Sequence, residues 1–170
     1  MVLLLDLPPR AAEPDRAPVA RAGAFWWPRG WNEQRVLLER QHDRLERLLD
    51  QLIDHHSVAE ADLCAAVLED HRRGCHRLVR ALALHLRLEE RWLAERGCLC
   101  GGHRAAHAQA AALAADGLVR TESLHIARLA WLMDIQAWFR QHRSGADAIA
   151  YARARQGAHQ APFTLSPAVR

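Results

Sequence analysis

The sequence predicts an all-α protein, an antiparallel up-and-down four-helix bundle with an N-terminal extended arm. Three observations carry that expectation. Ala, Leu, Arg and Glu dominate the 170 residues while β-branched residues are sparse, a balance that favours helix over strand. Apolar residues recur at three- and four-residue steps in four separate stretches, and period-two alternation is not sustained, which is the pattern of amphipathic helices. Half of the chain is apolar, enough at this length for one buried core.

Residues 1–24 hold four prolines among Ala and Arg with no helical period and read as a poorly ordered lead segment. Residues 25–31, FWWPRGW, crowd four aromatics around Pro28 and Gly30 and read as an arm lying across the bundle. The bundle is assigned to residues 25–155, and 156–170 to a fraying tail. Asn32 is positioned to cap the first helix, whose apolar stripe runs Leu38, His42, Leu45, Leu49, Leu52. Ser57 and Glu60 read as a capping box for a second helix reaching about Glu95, with the stripe Leu78, Leu82, His85, Glu89, Leu93. Gly74 inside that span is a candidate break, since glycine costs a helix about 1 kcal/mol relative to alanine. Gly97 and the Gly101-Gly102 doublet should reverse the chain. The third helix is expected from near Gly102 to about Asp116, with His103, His107, Ala110 and Ala114 inward and Gly117 ending it. Thr121 reads as the cap of a fourth, with the stripe Leu124, Trp131, Ile135, Trp138, His142. Ser144-Gly145 disturbs that helix, and a short helical piece follows at about 149–155.

The net charge is only +3, and every basic residue is Arg, scattered among Glu and Asp rather than gathered with aromatics. A nucleic-acid-binding face is therefore not expected. Four apolar residues after Met1 are too few for a signal-peptide core, and no run approaches a membrane span, so the expectation is a cytoplasmic protein without membrane contact. In that compartment Cys64, Cys75, Cys98 and Cys100 should remain thiols.

Histidine lies on the apolar stripe of all four predicted helices: His42, then His85 with Glu89, then His103 with His107, then His142. The pairs four residues apart project from one helix face about one turn apart. A buried polar group left unpaired costs roughly 1–3 kcal/mol, and these stripes offer few partners except one another, so a shared metal centre is expected. Five imidazoles and a carboxylate exceed what one tetrahedral zinc takes; two ions, of iron or manganese, fit better. Asp147 is a weaker candidate from spacing, standing five residues after His142 and so about 140° round an ideal helix. It joins the set only if the backbone opens into a π-type bulge, which Gly145 permits; otherwise it is a solvated helix-end carboxylate. His71, Cys75 and His76 are too sparse for a site. With His55, His56, His125 and His159 they read as ordinary, partly exposed residues, and Cys98 and Cys100 as inert thiols in a turn. Trp131 and Trp138 read first as core.

These motifs, in this order, resemble the hemerythrins, in particular the bacterial hemerythrin-like domains. Glu39-Arg40-Gln41-His42 stands where that family has an acidic residue before a QH pair. HLRLEE brings His85 and Glu89, HRAAH brings His103 and His107, and WFRQHRSGAD brings Trp138, His142 and Asp147. The match spans residues 25–147; the chain departs from the family's usual Tyr-Pro ahead of HRAAH, having cysteines and glycines there. The resemblance implies two non-haem iron ions under an oxo or hydroxo bridge. His103, His107 and His142 would hold one, His42 and His85 the other, with Glu89 and Asp147 bridging both. The two-histidine iron would keep one position for dioxygen, bound reversibly for storage, delivery or sensing. The alternative is a di-iron enzyme or redox sensor acting on peroxide or nitric oxide. A sensor would act through a separate protein partner, and a structural zinc bundle comes last.

Overall fold

A computed structural model describes residues 35–159. The lead segment, the aromatic arm, the Asn32 cap, the His159 side chain and the tail beyond 159 lie outside the described residues. All regular structure among the described residues is helical: α1 (Arg35–His56), a single 3-10 turn (Glu60–Asp62), α2 (Ala65–Glu95), α3 (Gly101–Arg120), α4 (His125–His142), a π-helical turn (Arg143–Asp147) and α5 (Ala148–His159). In this helical bundle α1 packs on α2 and α4, and α3 packs on the same two. Among the described residues, no helix is long and apolar enough to cross a membrane.

Each helix buries the face its apolar spacing implies. Leu38, His42, Leu45, Leu49 and Leu52 of α1 are buried on one stripe, as are Leu78, Leu82, His85, Glu89 and Leu93 of α2. The main core joins Leu45, Leu49 and Leu52 to Leu78, Leu82, Ala110, Ala114, Leu132, Ile135 and Phe139. Burial of such side chains stabilises by about 1.5–3 kcal/mol each relative to exposure. A smaller cluster, Leu38, Trp92, Leu93 and Tyr151 among them, seals the end where α5 meets α2.

The turn between α2 and α3 follows its glycine. Gly97 takes φ +64°, a left-handed conformation that glycine adopts without a Cβ penalty. The Cys98 N–H then donates to the Leu93 carbonyl at 2.8 Å and the Gly97 N–H to Ala94 at 3.0 Å, the paired closure that satisfies the last carbonyls of a helix. Cys100 caps α3, its sulfur accepting from the His103 N–H at 3.4 Å.

Several helix ends differ from expectation. Ser57 does not open α2; its hydroxyl donates back to the Ile53 carbonyl at 2.8 Å and so closes α1, while α2 starts after Cys64. Gly74 does not break α2, because the missing side chain makes room for Leu52, whose Cδ2 would stand 2.6 Å from a Cβ there. Gly117 does not end α3: a Cβ there would meet the Trp131 ring at 2.2 Å, so glycine lets α4 approach. Thr121 does not cap α4; its hydroxyl donates to the Gly117 carbonyl at 2.8 Å and finishes α3. Leu124 is 56 % exposed rather than part of the α4 stripe, and Phe139 takes the core place read for the half-buried Trp138. The helical piece after the π-helical turn is longer than the expected 149–155 and continues α4 without a loop.

Candidate metal centre

All seven candidate residues converge. His42 comes from α1, His85 and Glu89 from α2, His103 and His107 from α3, His142 from the end of α4, and Asp147 closes the π-helical turn. Each is at most 8 % exposed. They divide into two groups whose ligand atoms lie within reach of one ion each: His103, His107, His142 and Asp147, and His42, His85 and Glu89.

In the first group the three Nε2 atoms form a triangle. His103 and His107 are 3.0 Å apart, His107 and His142 2.9 Å, and His142 and His103 3.3 Å. Nitrogens bonded at right angles to one ion at about 2.1 Å would stand about 3.0 Å apart, so the triangle fits one face of a six-coordinate ion. Three imidazoles cannot satisfy this triangle among themselves, since each neutral ring has one donor nitrogen.

The carboxylates join the groups. Asp147 Oδ1 lies 3.0 Å from His142 Nε2 and 3.3 Å from His103 Nε2, while its Oδ2 lies 3.2 Å from His42 Nε2. Glu89 Oε2 is 3.6 Å from both His85 Nε2 and His107 Nε2. Both carboxylates thus face the three-histidine and the two-histidine groups at once. Among the described residues, His42 Nε2, His85 Nε2, both Glu89 oxygens and Asp147 Oδ1 are buried with no hydrogen-bond partner, an arrangement a cation relieves. Buried His, Glu and Asp groups here can hold metal.

Comparison with protein-family models, curated proteins and solved structures finds no match for this chain.

The electrostatics suit cation binding. Burial, then the neighbouring His103 and His142, pushes His107 down to about 3, and burial holds His85 well below its ordinary value. Both rings are therefore neutral at pH 7, the form that ligates. Burial opposes the Asp147 charge, but the imidazoles of His103, His142 and His42 that face it hold this carboxyl far below the usual range. Glu89 goes the other way: burial, with the Asp147 charge beside it, pushes it up to about 9. The protein alone thus keeps one carboxylate ionised and the other protonated.

Other side chains steady the ligands. Gln41 Oε1 accepts from His85 Nδ1 at 3.1 Å, Glu90 Oε1 lies 3.2 Å from His107 Nδ1, and Glu39 Oε2 lies 3.7 Å from His42 Nδ1. Trp138 stacks on His142 with ring centroids 4.7 Å apart. Tyr151 is missed by the sequence reading. It is buried, stacks on His42 at 6.1 Å, and adjoins Glu89 closely enough that burial and that carboxyl push its own hydroxyl well up. Its signal was its place one helical turn after Asp147.

A second correction concerns His56, His71 and His125. The sequence reading has them partly exposed, yet they are 1 %, 6 % and 7 % exposed and lie together. Their helix ends meet at one end of the bundle, where His125 Nε2 donates to the Val58 carbonyl at 3.0 Å. His55 and His76 are exposed as expected, Cys75 is buried, and Cys98 and Cys100 remain free thiols.

Proposed function

We propose that this chain is a non-haem di-iron protein of the hemerythrin type that reversibly binds dioxygen, with its four long helices running alternately up and down. The observation that carries the reading is the unequal histidine count on either side of two shared carboxylates. His103, His107 and His142 with Asp147 and Glu89 offer one ion five protein ligands. His42 and His85 with the same carboxylates offer the other four, leaving it one position more for a small ligand. Two ferrous ions held there would supply the electrons for reversible dioxygen chemistry.

The protein's own part is to bind, orient and exclude water. Gln41 fixes the His85 ring so that Nε2 faces inward. Phe139 packs against His42 and His85, and Tyr151 against His42, apolar surface that slows hydration of a bound ligand. A cleft of about 570 Å³, rimmed by Arg44, Arg47, Arg77 and Arg80 and reaching Gln41 and His85, borders the two-histidine side. Histidine-rich ligation donates less negative charge than carboxylate-rich di-iron sites, which favours reversible binding over oxidation of substrates.

Metal analysis of the purified protein is expected to return about two iron atoms per chain, as bundle-core dinuclear sites hold. Reduced protein exposed to air and then purged should regain its starting spectrum. One zinc per chain would sink the di-iron reading, and rapid irreversible oxidation with turnover of peroxide or nitric oxide would replace a carrier by an enzyme or redox sensor. His107→Ala and Glu89→Ala should each abolish the dinuclear absorption, whereas His125→Ala should not.

A further inference from the structure

We infer that His56, His71 and His125 form a second cation site, a mononuclear three-imidazole centre for a borderline divalent ion of the zinc class. It stands apart from the centre described above. His56 follows His42 by 14 residues on α1, and His71 precedes His85 by 14 on α2, which at about 1.5 Å per residue sets the two centres roughly 20 Å apart along the bundle. The apolar layer of Leu49, Leu52, Leu78, Leu82 and Leu132 lies between them.

Hydrogen bonds prepare two of the rings as ligands. A carbonyl can only accept, so His56 Nδ1, 2.7 Å from the Leu52 carbonyl, carries its proton and leaves Nε2 with a lone pair. By the same logic His125 Nε2 donates to Val58 and leaves Nδ1 with a lone pair. Metal-bound histidines are held in this way, the second ring nitrogen donating to a backbone carbonyl. Among the described residues, His125 Nδ1 and His71 Nδ1 are buried without a hydrogen-bond partner, so the fold leaves two imidazole nitrogens unsatisfied in one place. His56 Nε2 has only the Cys75 sulfur, at 3.8 Å.

One nitrogen from each ring lies within 4.8 Å of the other two. A tetrahedral ion with bonds of about 2.1 Å would draw them to about 3.4 Å, a closure that turning the rings about their soft outer torsion supplies. Three imidazoles without a carboxylate suit zinc and its neighbours rather than magnesium or calcium. The Arg128 guanidinium donates to the Thr121 and Glu122 carbonyls at the end of α3, and its charge, felt by His56 and His71, opposes a cation and lowers the affinity of the site. Cys75 stands at the rim, and burial keeps its thiol protonated, pushed up to about 11.

The test is a zinc titration of the full-length metal-free chain against a chromophoric chelator. His71→Ala and His125→Ala should each remove one tight zinc equivalent per chain relative to the unaltered protein, while His76→Ala, at an exposed position of α2, should leave the count unchanged. Circular dichroism reports whether each variant is folded. Should the variants unfold, imidazole nitrogen resonances of the unaltered chain decide: zinc should shift those of His56, His71 and His125 together. Equal zinc stoichiometry in folded His71→Ala, folded His125→Ala and the unaltered chain would overturn the site. So would three resonances left unmoved by zinc.

Discussion

Asp147 Oδ1 stands 3.0 Å from His142 Nε2, although the two residues are five apart and an α-helix would turn them about 140° from each other. The π-helical turn Arg143–Asp147 absorbs the extra residue and returns the carboxylate to the histidine's side. Deleting Ser144 would let α4 run on as α-helix with the aspartate four residues after His142, about 40° round and on the same face. That deletion should keep metal bound. Inserting an alanine after Ser144 should instead swing the carboxylate away and, like Asp147→Ala, strip the shared metal. Metal content after desalting checks all three, and a deletion variant as empty as the insertion would refute the account.

Much of this site is legible in the sequence because helical period converts spacing into side. His42 lies on a stripe with Leu38, Leu45 and Leu49, and His85 on one with Leu78, Leu82 and Leu93, so inward placement follows from position alone. Helix ends are less legible because their signals point both ways. The Ser57 hydroxyl can cap a helix ahead or bond a carbonyl behind, and here it does the latter. Gly117 looks like a terminator because its reason, the Trp131 ring, sits fourteen residues later on another helix. His56, His71 and His125 lie near the ends of three different helices, where burial depends on how α1, α2 and α4 come together. No period records that.

The metal-free protein should be most stable near pH 6.5. His56 and His107, pushed down by burial to about 4 and about 3, take up protons on unfolding below their ordinary value of about 6.5. Stability should therefore fall as pH drops from there toward 3, because the unfolded chain binds more protons. Glu89, pushed up to about 9, has the opposite sign. The folded chain holds that proton and the unfolded chain has lost it, so stability should also fall as pH rises from 6.5 toward 9. Urea midpoints across this range check the shape; a flat profile, or a maximum above pH 9, would contradict it.

The same Glu89 proton should leave when metal enters. At pH 7 the carboxyl is protonated in the metal-free fold, and a carboxyl must lose its proton to ligate a metal ion. Loading metal should release about one proton per chain from this group, and apparent affinity should rise with pH up to about 9. Calorimetry in buffers of different ionisation enthalpy measures the release, and Glu89→Gln should abolish that component.

Gly117 and Gly145 should respond oppositely to alanine. At Gly117 a Cβ meets Trp131 at 2.2 Å on a buried helix contact, and overpacking of this kind costs about 1–3 kcal/mol. At a domain of this size that lowers the midpoint by roughly 2–12 °C. At Gly145 nothing stands within 4 Å of the added carbon, so Gly145→Ala should match or slightly exceed the parent, since alanine reduces unfolded-chain entropy. Thermal melts of both variants decide; equal losses would mean that the Trp131 contact does not set the spacing of α3 and α4.

Gln41 should matter to metal affinity without being a ligand. Its side-chain oxygen accepts from His85 Nδ1 at 3.1 Å, which places the proton on Nδ1 and leaves Nε2 free to ligate beside Glu89. Replacing it by leucine keeps the bulk but removes the acceptor, so the His85 ring loses both its tautomer and its orientation. Loss of such a partner weakens metal binding about 10–100-fold. Gln41→Leu should therefore keep its fold and, at saturating metal, its stoichiometry, while releasing metal to a competing chelator at correspondingly lower concentration. Gln41→Glu, which restores an acceptor at the same place, should recover most of that affinity. If leucine and glutamate behave alike, the bond to His85 is incidental and the ring is held by its packing against His42 and Phe139.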